Sequence, residues 1–147
     1  STVRLPAGAP ATNHLGGIKH SNRLDQVRIA SGCSDQGAEE ALVLDADGMI
    51  VEGLAGNLVV VRDRQMIAPG PHPAAVAGIA LEWLRRAAGP DLLERPFAAA
   101  ELGRDDALWV INSVRGPRRV CTLDGRGLAT DELLGKWRQQ WREEIEE

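Results

Sequence analysis

At 147 residues, 44% of them hydrophobic and 26% charged, the chain is long enough for one domain with a buried core. Its net charge of −4, from 17 basic and 21 acidic residues, argues against a general nucleic-acid binder. No apolar run is long enough to span a membrane, and Ser1 to Gly8 lack the charged-then-apolar pattern of a secretion signal, so a cytoplasmic protein is expected.

Residues 1–17 are rich in Gly, Pro, Ala and Thr and read as a linker, with only Val3 and Leu5 suggesting a short extended piece. Leu24, Val27 and Ala30 recur every third position, which predicts a short helix capped by Ser21 or Asn22 and ended at Gly32. Ala41 to Asp45 is a short apolar strand, Asp47-Gly48 a hairpin turn, and Met49 to Glu52 the returning strand. Asn57 to Arg62 and Gln65 to Ala68 continue an antiparallel meander. Pro69 to Pro73 breaks the chain. The next helix carries Val76, Ile79, Ala80, Trp83, Leu84 and Ala87 on one face and stops at Gly89-Pro90. A weak strand at Leu92 to Pro96 and a short helix at Ala98 to Leu102 precede Ala107 to Ile111, the most apolar strand, which Arg118 to Leu123 pairs with. A last helix starts near Thr130, with Asp131 and Glu132 at its positive end and Leu133 or Leu134, Trp137, Trp141 and Ile145 on its inner stripe.

Cys33 and Cys121 are isolated and read as reduced thiols, with a single disulfide as the alternative. His14, His20 and His72 are scattered, so no metal site is expected. There is no tyrosine, one phenylalanine (Phe97) and four tryptophans, which leaves few of the side chains that ordinarily build a substrate pocket. A missing partner domain accounts for the shortage, and so does chance.

Lys19 stands just before the first helix, where the positive dipole end disfavours a protonated amine and so suits a nucleophile. A lysine in such a place is ordinarily a solvated charge, and its neighbours decide the matter. The stretch Gly17-Ile18-Lys19-His20-Ser21-Asn22-Arg23-Leu24-Asp25-Gln26 resembles the catalytic-lysine segment of the 4-amino-4-deoxychorismate lyases, a branch of the class IV aminotransferases, which are fold-type IV pyridoxal-phosphate enzymes. Glu52-Gly53 through Asn57 is similar to that family's hairpin-end segment, whose glutamate contacts the cofactor's ring nitrogen; by pattern alone Glu52 also reads as a solvent-facing strand end. Ala75-Val76-Ala77-Gly78-Ile79-Ala80-Leu81 is similar to the family's phosphate-binding helix start, with Ala75 and Leu81 where the family has Gly and Arg. Ile111-Asn112-Ser113-Val114-Arg115-Gly116 resembles a further phosphate-side turn, after which Pro117-Arg118-Arg119-Val120 departs from the family's Pro-Val.

The resemblance implies an α+β fold: the C-terminal domain of a D-amino-acid-aminotransferase-like enzyme, an antiparallel meander or pseudo-barrel packed with three to four helices. Residues 1–17 become an interdomain linker and 18–147 the cofactor domain, with the N-terminal domain absent. It implies pyridoxal 5'-phosphate as cofactor, Lys19 as catalytic residue, and Lys19, Glu52, Asn57, Gly78, Ile79, Ala80, Asn112 and Ser113 as cofactor-binding residues. Arg115 reads as a clamp on a substrate carboxylate or as an ordinary surface arginine. Arg118 and Arg119 read as solvated strand residues. The activity implied is lysis of 4-amino-4-deoxychorismate to 4-aminobenzoate and pyruvate, in a homodimer acting on a small molecule. The alternatives are an aminotransferase of D- or branched-chain amino acids and a non-catalytic relic.

Overall fold

The computed structural model describes residues 2–6, 24–35 and 37–145. Strand β1 (Thr2–Pro6) and helix α1 (Leu24–Asp35) come first, then a hairpin of β2 (Glu40–Leu44) and β3 (Ile50–Gly53). Asp45 closes that hairpin by accepting the N–H groups of Asp47 and Met49 on its side chain, and Gly48 supplies the positive φ of the turn. A second hairpin joins β4 (Asn57–Arg62) to β5 (Gln65–Pro69). Helix α2 (Ile79–Ala88) then carries the chain across to β6 (Leu92–Arg95), which lies parallel to β5. The remaining elements are β7 (Ala107–Asn112), β8 (Gly116–Val120), two short strands β9 (Thr122–Leu123) and β10 (Arg126–Gly127), and helix α3 (Leu133–Ile145).

The strands form two five-stranded sheets, ordered β10-β9-β1-β2-β3 and β6-β5-β4-β7-β8. Strand alternation sends each side chain of β4 and β7 to one of two cores. Leu58, Val60, Leu108 and Val110 meet Leu42, Ile50 and Leu123 between the sheets. Val59, Val61, Trp109 and Ile111 meet Leu84 of α2 and Leu134, Trp137 and Trp141 of α3 on the outer face. Both faces of β4 and β7 are therefore buried, which is why their sequences read as continuous apolar runs. Each such side chain contributes roughly 1.5–3 kcal/mol by leaving water. Ile29 and Cys33 of α1 cover Ala41, Val43 and Val51 on the far side of the first sheet. The layers thus run α1, sheet, sheet, then α2 with α3. No helix of the described residues is long and apolar enough to cross a membrane.

The α+β expectation holds, with three α-helices among the described residues. The details differ in five places. The sheets are mixed, because β1 lies parallel to both β2 and β9, and β6 parallel to β5. Residues 2–6, read as part of a linker with a short extended piece at Val3 and Leu5, form an inner strand; two alternating apolar residues are too short a pattern to place it inside a sheet. Helix α1 buries Ile29 and Cys33 rather than Val27 and Ala30, which are exposed, and it runs through Gly32 to Asp35. Glycine there costs about 1 kcal/mol against alanine, which the packing of Cys33 offsets. Val76 precedes α2 instead of lying on its face, and Ile79 is 76% exposed; Ala80, Leu81, Leu84 and Ala88 are the buried stripe. Ile145, expected inside, is half-exposed as the last residue of α3.

Candidate functional site

The loop Leu54 to Gly56 crosses from β3 in one sheet to β4 in the other. Gly56 lets it lie flat on β7: a Cβ there would strike the carbonyl oxygen of Ile111. This loop, the segment entering α2 and the turn after β7 together line a cleft of about 400 Å³. Glu52, Asn57, Gly78, Ile79, Ala80, Asn112 and Ser113 all line it, so three sequence segments far apart converge on one place.

Two buried side chains shape the wall. Glu52, at the end of β3, accepts the N–H of Val76 on Oε2 at 2.9 Å, and Asn57 donates Nδ2 to the carbonyl of Val76, also at 2.9 Å. Val76, three positions before α2 begins, is thereby held at both its N–H and its C=O. Asn57 Oδ1 then sits where a Cβ on residue 78 would be, which is why a glycine caps the helix. Gly78 has extended dihedrals (φ −75°, ψ 136°) and no side-chain cap, and the first intrahelical donor is Glu82 N–H to Gly78 O at 3.0 Å. The N–H groups of Ile79 and Ala80 therefore have no acceptor within the helix and carry its positive dipole end to the cleft. Ala75 keeps a negative φ, so the alanine that replaces the family's glycine is unstrained. Leu81 packs into the helix-side core.

Across the cleft, Asn112 ties two loops together. Its Nδ2 donates to Ala55 O at 2.9 Å, and its Oδ1 accepts the N–H groups of Val114 (3.1 Å) and Arg115 (2.8 Å). Asn57 and Asn112 thus hold backbone, while Ser113 is exposed at the rim. Arg115 is exposed on the turn and is not among the residues that line the cleft. Lys19, with its motif as far as Arg23, lies outside the described residues.

Chemically, the wall offers backbone N–H groups at a helix start for an anion and a carboxylate for a cationic or N–H-bearing group. Sequence reasoning missed the support behind it. Glu40, first residue of β2 and 5% exposed, accepts the N–H groups of Ala41 (3.2 Å) and Ala55 (3.1 Å) and the Nη2 of Arg118 (3.3 Å). Arg118 is thus a partly buried ion-pair residue rather than a fully solvated one; its only sequence signal was the departure from the family's Pro-Val. Burial, and then the charge of Glu40, push the Cys33 thiol up, so it stays protonated.

The model of the class IV amino-transferase family matches residues 3–123. The chain belongs to the class IV aminotransferases. Among relatives of this class IV chain, aminodeoxychorismate lyase of Vibrio harveyi is 28% identical over 126 residues, covering 83% of the chain and 46% of that protein. The bifunctional aminodeoxychorismate lyase / D-amino acid transaminase of Mycobacterium tuberculosis is 30% identical over 144 residues, covering 87% and 50%. In three dimensions the chain superposes on 4-amino-4-deoxychorismate lyase from Pseudomonas aeruginosa with a TM-score of 0.82 at 34% identity, over 99% of the chain and 56% of that structure. The chain spans about half the length of these relatives.

Proposed function

We propose that this class IV chain is the cofactor-binding half of a pyridoxal-phosphate-dependent lyase that splits 4-amino-4-deoxychorismate into 4-aminobenzoate and pyruvate. The observation that carries the reading is the convergence of Glu52, the α2 N-terminus and the Asn112-Ser113 turn on one cleft. The cleft would suit the cofactor: a phosphate matches the N–H groups of Ile79 and Ala80 at the start of α2, which line it. Glu52 would hold a proton on the ring nitrogen, and the hydroxyl of Ser113 would add a hydrogen bond on the phosphate side.

When bound, pyridoxal phosphate supplies an electron sink beside the substrate's amine-bearing carbon. Lys19 is assigned the covalent attachment and the proton traffic: its amine takes the proton from that carbon and returns one to the departing three-carbon fragment. The two products then carry every atom of the substrate. Asn57 and Asn112 act through the backbone they hold. Arg115 is left for a substrate carboxylate approaching from beyond the rim. The reading includes a cytoplasmic homodimer completed by an N-terminal half.

A second activity has support in one relative, the Mycobacterium tuberculosis protein named for both lyase and D-amino acid transaminase functions. The test is to supply the full-length protein with pyridoxal phosphate and either the chorismate derivative or a D-amino acid with a keto-acid acceptor. Release of 4-aminobenzoate and pyruvate supports the lyase; amino-group transfer alone supports the transaminase. Failure to bind the cofactor overturns both.

A further inference from the structure

We propose that Glu40 and Arg118 form a strut between the two sheets that positions the Leu54–Gly56 loop, and through it Glu52 and Asn57, for the ligand of the cleft. The inference rests on the cofactor reading above for the ligand's identity, but not for the strut itself.

Glu40 opens β2 in the first sheet and Arg118 lies on β8 in the second, so their contact at 3.3 Å joins the sheets. The Glu40 side chain is 7% exposed and that of Arg118 32%. Arg118 Nε is buried without a hydrogen-bond partner among the described residues. An orphaned guanidinium nitrogen is costly, so the pair is expensive as a stabiliser and is better explained by what it holds in place. What it holds is the crossing loop. Glu40 Oε1 accepts the Ala55 N–H, and Asn112 donates to the carbonyl of the same residue. Ala55 is therefore fixed from below by Glu40 and from the side by Asn112. The loop it belongs to connects Glu52 to Asn57, the two side chains that grip Val76 before α2. Loosening Ala55 transmits along the backbone to Glu52, three positions before it, and to Asn57, two positions after it. The geometry makes Glu40 and Arg118 positioning residues; neither lines the cleft.

The experiment compares Arg118→Met, Arg118→Lys and Glu40→Ala in the full-length protein, reading pyridoxal-phosphate affinity and amide hydrogen exchange at Ala55. Methionine keeps the stem's packing and removes the charge, whereas lysine keeps the charge. The expected result is about tenfold weaker cofactor binding and about tenfold faster Ala55 exchange in Arg118→Met, with Arg118→Lys within about threefold of wild type on both. Glu40→Ala, which also removes the acceptor of the Ala55 N–H, should be at least as impaired as Arg118→Met, and the double variant should be no worse than Glu40→Ala. Equal effects of methionine and lysine, additive effects of the two sites, or an unchanged Ala55 amide overturn the strut. If Glu40→Ala does not fold, the methionine and lysine pair still decides. If the wild-type protein binds no pyridoxal phosphate, the cofactor reading fails separately, and the Ala55 exchange rates alone support or overturn the strut.

Discussion

Among the described glycines, Gly78 is the one where an added methyl group would come nearest to another atom. Its Cβ would collide with Asn57 Oδ1, and Asn57 cannot swing aside without releasing the Val76 carbonyl. Gly78→Ala should lower stability by roughly 1–3 kcal/mol in urea unfolding and also weaken pyridoxal-phosphate binding, because the clash falls at the helix start that faces the ligand. Unchanged affinity in a destabilised variant would separate the glycine from the cleft. At this scale much was legible. Glu52, Asn57, Gly78, Ile79, Asn112 and Ser113 stand in short motifs, and the structure brings them together. What the motifs did not reveal was who touches whom. Asn57 and Asn112 bind backbone, and Glu40 finds Arg118 at a separation of 78 residues, a distance over which no local pattern speaks.

Among the elements, α3 and β7 depend on one carboxylate. Asp131 accepts the indole N–H of fully buried Trp109 at 2.9 Å and the N–H of Leu134 in the first turn of α3 at 3.2 Å. Asp131→Ala orphans a buried donor and removes a cap, so a loss of about 2–4 kcal/mol is expected. Asp131→Asn, which keeps the acceptor, should lose less than about half of that. The acidic start of this helix was visible in the sequence, but the tryptophan was not, because its partner lies 22 residues away on a strand.

A second carboxylate links β4 to the approach to β7. Asp106 is 2% exposed; burial acts to raise its pKa, but the paired bonds from Arg62 (2.7 and 2.8 Å) and the N–H of Gly103 outweigh it and hold the group below the usual range. A carboxyl whose folded pKa is depressed stabilises the protein above its unfolded value, about pH 4, and loses that contribution as pH falls through the lower folded value. Asp106→Asn should therefore be less stable than wild type at neutral pH, with the gap closing below about pH 4. A gap independent of pH would contradict the pairing.

The described residues form a sandwich whose candidate cleft lies at the crossover between its sheets. Its four-layer order was not legible, because the parallel pairings of β1 and β6 depend on distant partners, whereas the hairpins follow from local turns. The domain reading adds an expectation at this scale. If an N-terminal half closes the cleft, the 147-residue chain alone should bind pyridoxal phosphate more weakly than a two-domain protein, as a titration of both would show. The proposed function makes Lys19 the residue that holds the cofactor, and that assignment carries the rest. It is tested most directly by loading the full-length protein with pyridoxal phosphate, reducing with borohydride and mapping the adduct by peptide mass spectrometry. The account predicts a pyridoxyl adduct on Lys19 and its loss in Lys19→Ala; an adduct elsewhere, or none in a protein that binds the cofactor, would contradict it.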